Sequence, residues 1–232
     1  HRMVPAVFRY ALAKEFRVDG NPVEGVKDAL PAQKKKVQHF PAMDWIFVPG
    51  FLQWLEGQKG IAALALRFTI LTAMRSGTVR KTTWDEMELV GSIWDIPGEK
   101  MKTGEAFKVP LNQTSLAVIE EAQSYRKGDS ALVFPSPKDP NKLLSENAQR
   151  LVLRKYTPDY TVHGFRTSFR NWTEEMTEYS REVKECALAH AIQNKTEAAY
   201  RRFDYLDKRF ELMDDWADFL TDELTRRPGS GS

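Results

Sequence analysis

The spacing of apolar residues changes several times along the chain, and each change marks an element. Residues 3–16 read as a short helix, with Val7, Tyr10, Ala11 and Lys14 marking its faces and Asp19-Gly20-Asn21-Pro22 ending it. The stretch Leu30-Pro31-Ala32-Gln33-Lys34-Lys35-Lys36 has no period and is strongly basic, the composition of an exposed linker. Helical spacing returns over residues 49–74 and runs into Arg75-Ser76-Gly77, where Gly77 predicts a helix stop and Arg75 a helix end. Between Trp84 and Leu111 the pattern becomes β-like. Residues 93–96 and 106–109 are short strand runs separated by the polar 98–104, which predicts a small antiparallel sheet with Lys102 near a hairpin tip.

Helical patterns resume at residues 115–125, at 145–155 with Ser145 as N-cap, and at 165–176. Ser180 caps a further helix that runs to about His190. The last helix aligns Leu206, Phe210, Met213, Ala217, Leu220 and Leu224 at spacings of three and four. Such a stripe either closes the chain's own core or docks on a neighbouring protomer, and the core is the preferred reading. No internal repeat is present. The class expected is α+β, mainly α-helical with a small antiparallel β-sheet.

Composition narrows the function classes. With 232 residues, 42% of them hydrophobic, the chain can bury a substantial core. The single Cys186 cannot form an internal disulfide, and the N-terminus lacks the order of a secretory signal, so a cytoplasmic setting is expected. Apolar runs stay well short of the ~20 residues that cross a bilayer, so no membrane role is expected. The net charge of +2 hides an asymmetry: residues 204–223 hold eight acids against Lys208 and Arg209, a net −6, and the remainder carries +8. A basic body suits a polyanion, although charge runs are also simply solvated helix faces.

The chemistry-bearing residues are sparse. There is no Cys/His cluster for zinc, no glycine-rich phosphate loop and no serine in a glycine-flanked elbow. His163 with Arg166 is, alone, more often structural than functional, and Tyr200 is no better marked by composition than Tyr205. Their order changes the weighing, because Arg75, Lys102, His163, Arg166, His190 and Tyr200 form an Arg…Lys…His-x-x-Arg…His…Tyr series. A phosphodiester broken without a metal needs side chains for charge neutralisation, proton transfer and attack, and this series contains all three.

At this point the sequence resembles the tyrosine recombinases, particularly integrases of temperate and satellite phages and of bacterial genomic islands. Leu71-Thr72-Ala73-Met74-Arg75-Ser76-Gly77 is similar to the first arginine box, Met101-Lys102-Thr103 to the hairpin lysine, His163-Gly164-Phe165-Arg166 to the second box and Leu188-Ala189-His190 to the third. Ala199-Tyr200-Arg201 resembles the nucleophile segment, and the likeness covers roughly residues 41–224. One position departs: Thr78 stands where the family commonly has an acidic buttress three residues after the first arginine.

The resemblance implies the recombinase catalytic fold over residues 41–226. Residues 1–40 would then be the end of an upstream core-binding domain plus linker, and 227–232 a flexible tail. It implies Arg75 and Arg166 on the scissile phosphate, Tyr200 as nucleophile, His163 accepting its proton, His190 donating to the phosphate and Lys102 protonating the 5′ oxygen. No cofactor is implied. The partners implied are double-stranded DNA bearing attachment sites, a homotetramer assembled on it, and accessory DNA-bending or directionality factors. Two rivals stand beside this: a type IB topoisomerase-like enzyme of the same chemistry, and a non-catalytic DNA-binding module that uses Arg and Lys only to hold phosphates.

Overall fold

The computed structural model describes residues 3–23, 41–190 and 205–222. The chain divides into two compact units, residues 1–39 and 40–232. The described part of the first is one helix, α1 (Met3–Ala13). It stops short of the expected Phe16 because Glu15 turns left-handed (φ 56°), letting Phe16 N–H donate to Ala11 C=O at 2.9 Å and Glu15 N–H to Leu12 C=O at 3.1 Å.

The second unit holds the core. The apolar run expected as one helix over residues 49–74 is two, α2 (Val48–Glu56) and α3 (Ile61–Leu71). The break falls where Gly60, at φ 104°, takes a backbone conformation closed to most side chains. Nine of the eleven residues of α3 are buried, so this helix is apolar all round and sits at the centre. Around it pack α2, α5 (Gln113–Gln123), α6 (Ala148–Tyr156) and α9 (Leu206–Thr221). Asn112 caps α5, accepting from Ser115 N–H at 2.8 Å, while α6 begins at Ala148 rather than at the expected Ser145.

The sheet has the expected two strands, β2 (Ile93–Ile96) and β3 (Phe107–Pro110), plus a short third strand, β1 (Met87–Glu88), in the order β1-β2-β3. All pairs are antiparallel, with Trp94 opposite Val109. The β2–β3 connection is anchored by Lys100, whose ammonium binds the Glu86 carboxylate, and Glu86 also accepts from Trp94 Nε1 at 2.8 Å. A second hairpin pairs β4 (Pro135–Ser136) with β5 (Asp139–Leu143).

Two further helices carry the later motifs, α7 (Gly164–Met176) and α8 (Arg181–Ala187). Phe165, Phe169 and Trp172 face inward at helical spacing. Phe165 stacks on Phe51 at 5.2 Å, while Phe169 and Trp172 meet Trp216 of α9 at 5.4 and 4.9 Å. Helix α9 therefore closes its own core, through Leu212, Met213, Trp216, Ala217 and Leu220, and its Trp216 Nε1 donates to Ile70 C=O at 3.0 Å. Leu224 of the expected stripe lies outside the described residues. No described helix is long and apolar enough to cross a membrane.

Candidate active site

Packing of α7 decides the state of Arg166. Its neighbours Phe165 and Phe169 lie in the core, which leaves Arg166 only 4% exposed. A buried guanidinium needs acceptors, and two helix ends supply them. Nη1 donates to Ala73 C=O just beyond the C-terminus of α3, and Nη2 donates to Leu188 C=O at the end of α8. These carbonyls lie at the negative ends of two helix dipoles, so both receive a cation favourably. The chain reverses at each end through a left-handed alanine, Ala73 at φ 50° and Ala189 at φ 48°. Burial, and then the charge of Arg75, pull the Arg166 pKa down to about 9, while Glu185 raises it. It remains a cation at neutral pH.

The reversal at Ala189 also delivers His190. Ala189 N–H donates to Cys186 C=O at 2.8 Å and His190 N–H to Glu185 C=O at 3.2 Å, the bond pattern of a Schellman closure. His190 Nε2 thereby comes within 3.3 Å of Arg166 Nη2, and Nδ1 within 2.6 Å of Glu185 Oε2. In this arrangement Nε2 is an acceptor, since an arginine only donates. Donating to a phosphate, the role the resemblance implies, requires a second proton on the ring.

His163 is the N-cap residue of α7, three positions before Arg166. It is solvent-exposed on one side, yet burial of the other side lowers its pKa, and the charges of Arg166, Arg75 and His190 lower it further. Arg75 is not at the end of the long helix as expected. Helix α3 stops at Leu71, and Arg75 is the extended N-cap residue of a short helix, α4 (Ser76–Val79), with Gly77 inside it. Thr78 is buried at 6% exposure, and its N–H donates to Arg75 C=O at 2.9 Å. Among the described residues the Arg75 side chain has no hydrogen bond or ion pair, and its charge acts on both Arg166 and His163.

Arg75, His163, Arg166 and His190 are thus brought together. Lys102 lies exposed on the β2–β3 connection, and no described interaction ties it to that group. Tyr200 lies outside the described residues. Two tyrosines near it in sequence are held elsewhere: Tyr205 heads α9, half-buried against the core, and Tyr179 donates to Asp215 at 2.7 Å. Burial, and then Asp215, push the Tyr179 phenol well above its ordinary range. Glu185 and Arg170, which pair at 2.9 Å, are absent from the sequence-based set. A spacing of five between Glu185 and His190 is no helical contact, so only the Schellman turn reveals it. No group of three or more metal-ligating side chains occurs among the described residues.

Known proteins share this sequence pattern and this fold. The sequence pattern of the phage integrase family matches residues 51–206. The integrase of Enterobacteria phage P4 is 31% identical over an alignment covering 94% of this chain and 53% of that protein, so the chain spans about half the length of this relative. A lambda integrase dimer bound to a COC′ core site superposes with a TM-score of 0.58 at 17% identity, covering 82% of this chain and 70% of that one. A lambda integrase tetramer bound to a Holliday junction gives 0.57 at 16% identity, covering 85% and 56%. The solved structures show a common fold, and the family match over residues 51–206 adds the lineage: this chain belongs to the phage integrase family.

Proposed function

We propose that this chain is the catalytic part of a site-specific DNA recombinase that integrates or excises a prophage or genomic island through a covalent 3′-phosphotyrosyl intermediate. The observation that carries the reading is the buried Arg166, held by two helix ends beside Arg75, His163 and His190. Two guanidiniums offer planar forks of donors to the non-bridging oxygens of a scissile phosphate. They supply the charge a metal would otherwise bring. Losing one such donor typically costs ~3–4 kcal/mol in barrier.

Tyr200 attacks phosphorus; its oxygen–phosphorus bond forms as the bond to the 5′ oxygen breaks. A phenol with pKa ~10 is protonated at neutral pH, so its proton must leave, and His163 takes it. The depressed pKa of His163 suits that role, because the ring is then neutral and able to accept. Lys102, on its exposed connection, gives a proton to the departing 5′ oxygen. The phosphotyrosyl bond conserves the energy of the broken one, so a second 5′ hydroxyl can reverse the step and rejoin strands without a nucleotide.

The partners belong to the same proposal: duplex DNA carrying attachment sites, a homotetramer on that DNA, and accessory bending or directionality factors, in the cytoplasm. So does a catalytic domain over residues 41–226 with residues 1–40 belonging to a DNA-binding part upstream. A nicked duplex bearing the attachment site tests the chemistry. A covalent protein–DNA band is expected, and Tyr200→Phe should abolish it. Survival of the band in Tyr200→Phe with loss in Tyr205→Phe would move the nucleophile, and no adduct from the unaltered chain would favour a DNA-binding module.

A further inference from the structure

Glu185 commits its two carboxylate oxygens to different partners. Oε1 lies 2.9 Å from Arg170 Nη2 on α7, and Oε2 lies 2.6 Å from His190 Nδ1. On the other edge of the same ring, Nε2 lies 3.3 Å from Arg166 Nη2. The donor inventory settles the protons. A guanidinium has no acceptor, so Nε2 must offer its lone pair, and the neutral ring therefore carries its proton on Nδ1. That proton points at the carboxylate. The backbone enforces the pairing, since the turn at Ala189 (φ 48°) bonds His190 N–H to Glu185 C=O at 3.2 Å.

We propose that Glu185 is a positioning residue of this site: it holds His190 as the Nδ1–H tautomer, with Nε2 aimed at Arg166 and at the phosphate Arg166 binds. The last clause rests on the recombinase reading; the hold on the ring does not. A histidine gripped at one nitrogen by a carboxylate is fixed in tautomer and ring angle, and its other nitrogen is presented at a defined place. With Nδ1 occupied, a second proton taken from solvent can only sit on Nε2. The ring then donates to a phosphate oxygen, and the adjacent carboxylate offsets its charge. Without Glu185 the neutral ring is free to carry its single proton on Nε2 or to turn over, and in either state Nε2 no longer offers its lone pair to the Arg166 guanidinium.

The alternative is that Glu185 merely ties α8 to α7 through Arg170. That pair and the Glu185–His190 pair are similarly exposed, so exposure does not choose between the readings. Three variants of the whole chain separate the readings: Glu185→Ala, Glu185→Gln and Arg170→Ala. Two measurements apply to each, the imidazole nitrogen chemical shifts of His190 in the DNA-free protein and single-turnover adduct formation on a nicked attachment-site duplex.

The unaltered chain should show the Nδ1–H pattern. Glu185→Ala should lose it and cut at least roughly tenfold more slowly, the smallest loss typical of removing a carboxylate that orients a functional histidine, with DNA binding unchanged. Glu185→Gln retains an acceptor oxygen and should recover the tautomer and most of the rate. Arg170→Ala should behave like the unaltered chain in both measurements. The proposal fails if the Nδ1–H pattern persists in Glu185→Ala, or if Arg170→Ala reproduces the Glu185→Ala loss. A tautomer change in Glu185→Ala alongside no adduct from the unaltered chain on any nicked duplex would uphold the hold on His190 and overturn the recombinase reading instead.

Discussion

Arg166 and His163 lie three residues apart and meet opposite demands. Arg166 must stay charged while nearly out of water, and the carbonyls of Ala73 and Leu188 allow it. In the proposed base role His163 must be uncharged to accept a proton, and burial with the surrounding arginines lowers its pKa in that direction. The sign follows directly. Its pKa lies below the ordinary value of about 6.5, so the ring is neutral at pH 7 and the reactive form is lost only as pH falls through that lowered value. The acid limb of the cleavage rate should therefore fall below pH ~6.5. In His163→Gln that limb should vanish, with the rate down on the order of a hundredfold or more. Single-turnover adduct formation from pH 5 to 8 measures both, and an unaltered limb in His163→Gln would remove the residue from the base role. Linkage has the same direction. Between the lowered value and ~6.5 the unfolded chain binds the proton and the folded one does not, so stability from this group declines as pH falls through that window.

Helix ends, more than helix bodies, build the site. Arg75 stands at the N-cap position of α4 and His163 at that of α7, and the chain past α3 and α8 turns back through Ala73 and Ala189. The start of α7 is crossed by the chain at residues 41–42, where a Cβ on Gly164 would meet Pro41 C=O at 2.5 Å and Ala42 Cα at 2.8 Å. Both are backbone atoms, so neither can swing aside. Gly164→Ala should destabilise the protein by about 2 kcal/mol, as overpacking typically does. For a chain of this size that means a Tm lower by roughly 4–8 °C. Because the clash lies between His163 and Arg166, adduct formation should fall with it; calorimetry and the nicked-duplex assay test the two parts, and an unchanged Tm would contradict the crossing. Helix bodies were readable from periodicity, since α5, α7 and α9 lie close to their expected positions. The break at Gly57 to Gly60 was hidden inside a run whose apolar residues continue on both sides. The short β1 and the β4–β5 hairpin were missed because two to five residues carry too little pattern.

Charge is divided across the whole molecule. Helix α9 turns Asp207, Glu211, Asp214, Asp215 and Asp218 outward, while α6 exposes Arg150 and Arg154 four residues apart on one face. In the proposed recombinase, DNA should therefore engage α6 and avoid α9. Replacing Arg150 and Arg154 together by Ala should lower the slope of log affinity against log salt by about 2, roughly 0.9 for each phosphate no longer neutralised, with little change in Tm. Anisotropy titrations between about 50 and 200 mM salt measure it, and an unchanged slope would place the DNA elsewhere. The apolar periods, the basic and acidic division and the ordered series from Arg75 to Tyr200 are properties of linear order, and they carried the fold class and the expected chemistry without coordinates. The folded chain alone set Arg166 between two helix ends, Arg75 at a helix start, Glu185 against His190, and the last helix on its own core. Those placements depend on where helices stop and on which groups packing excludes from water. Both are outcomes of interactions between residues far apart in the chain, 146 positions in the case of Ile70 and Trp216, which no local spacing encodes.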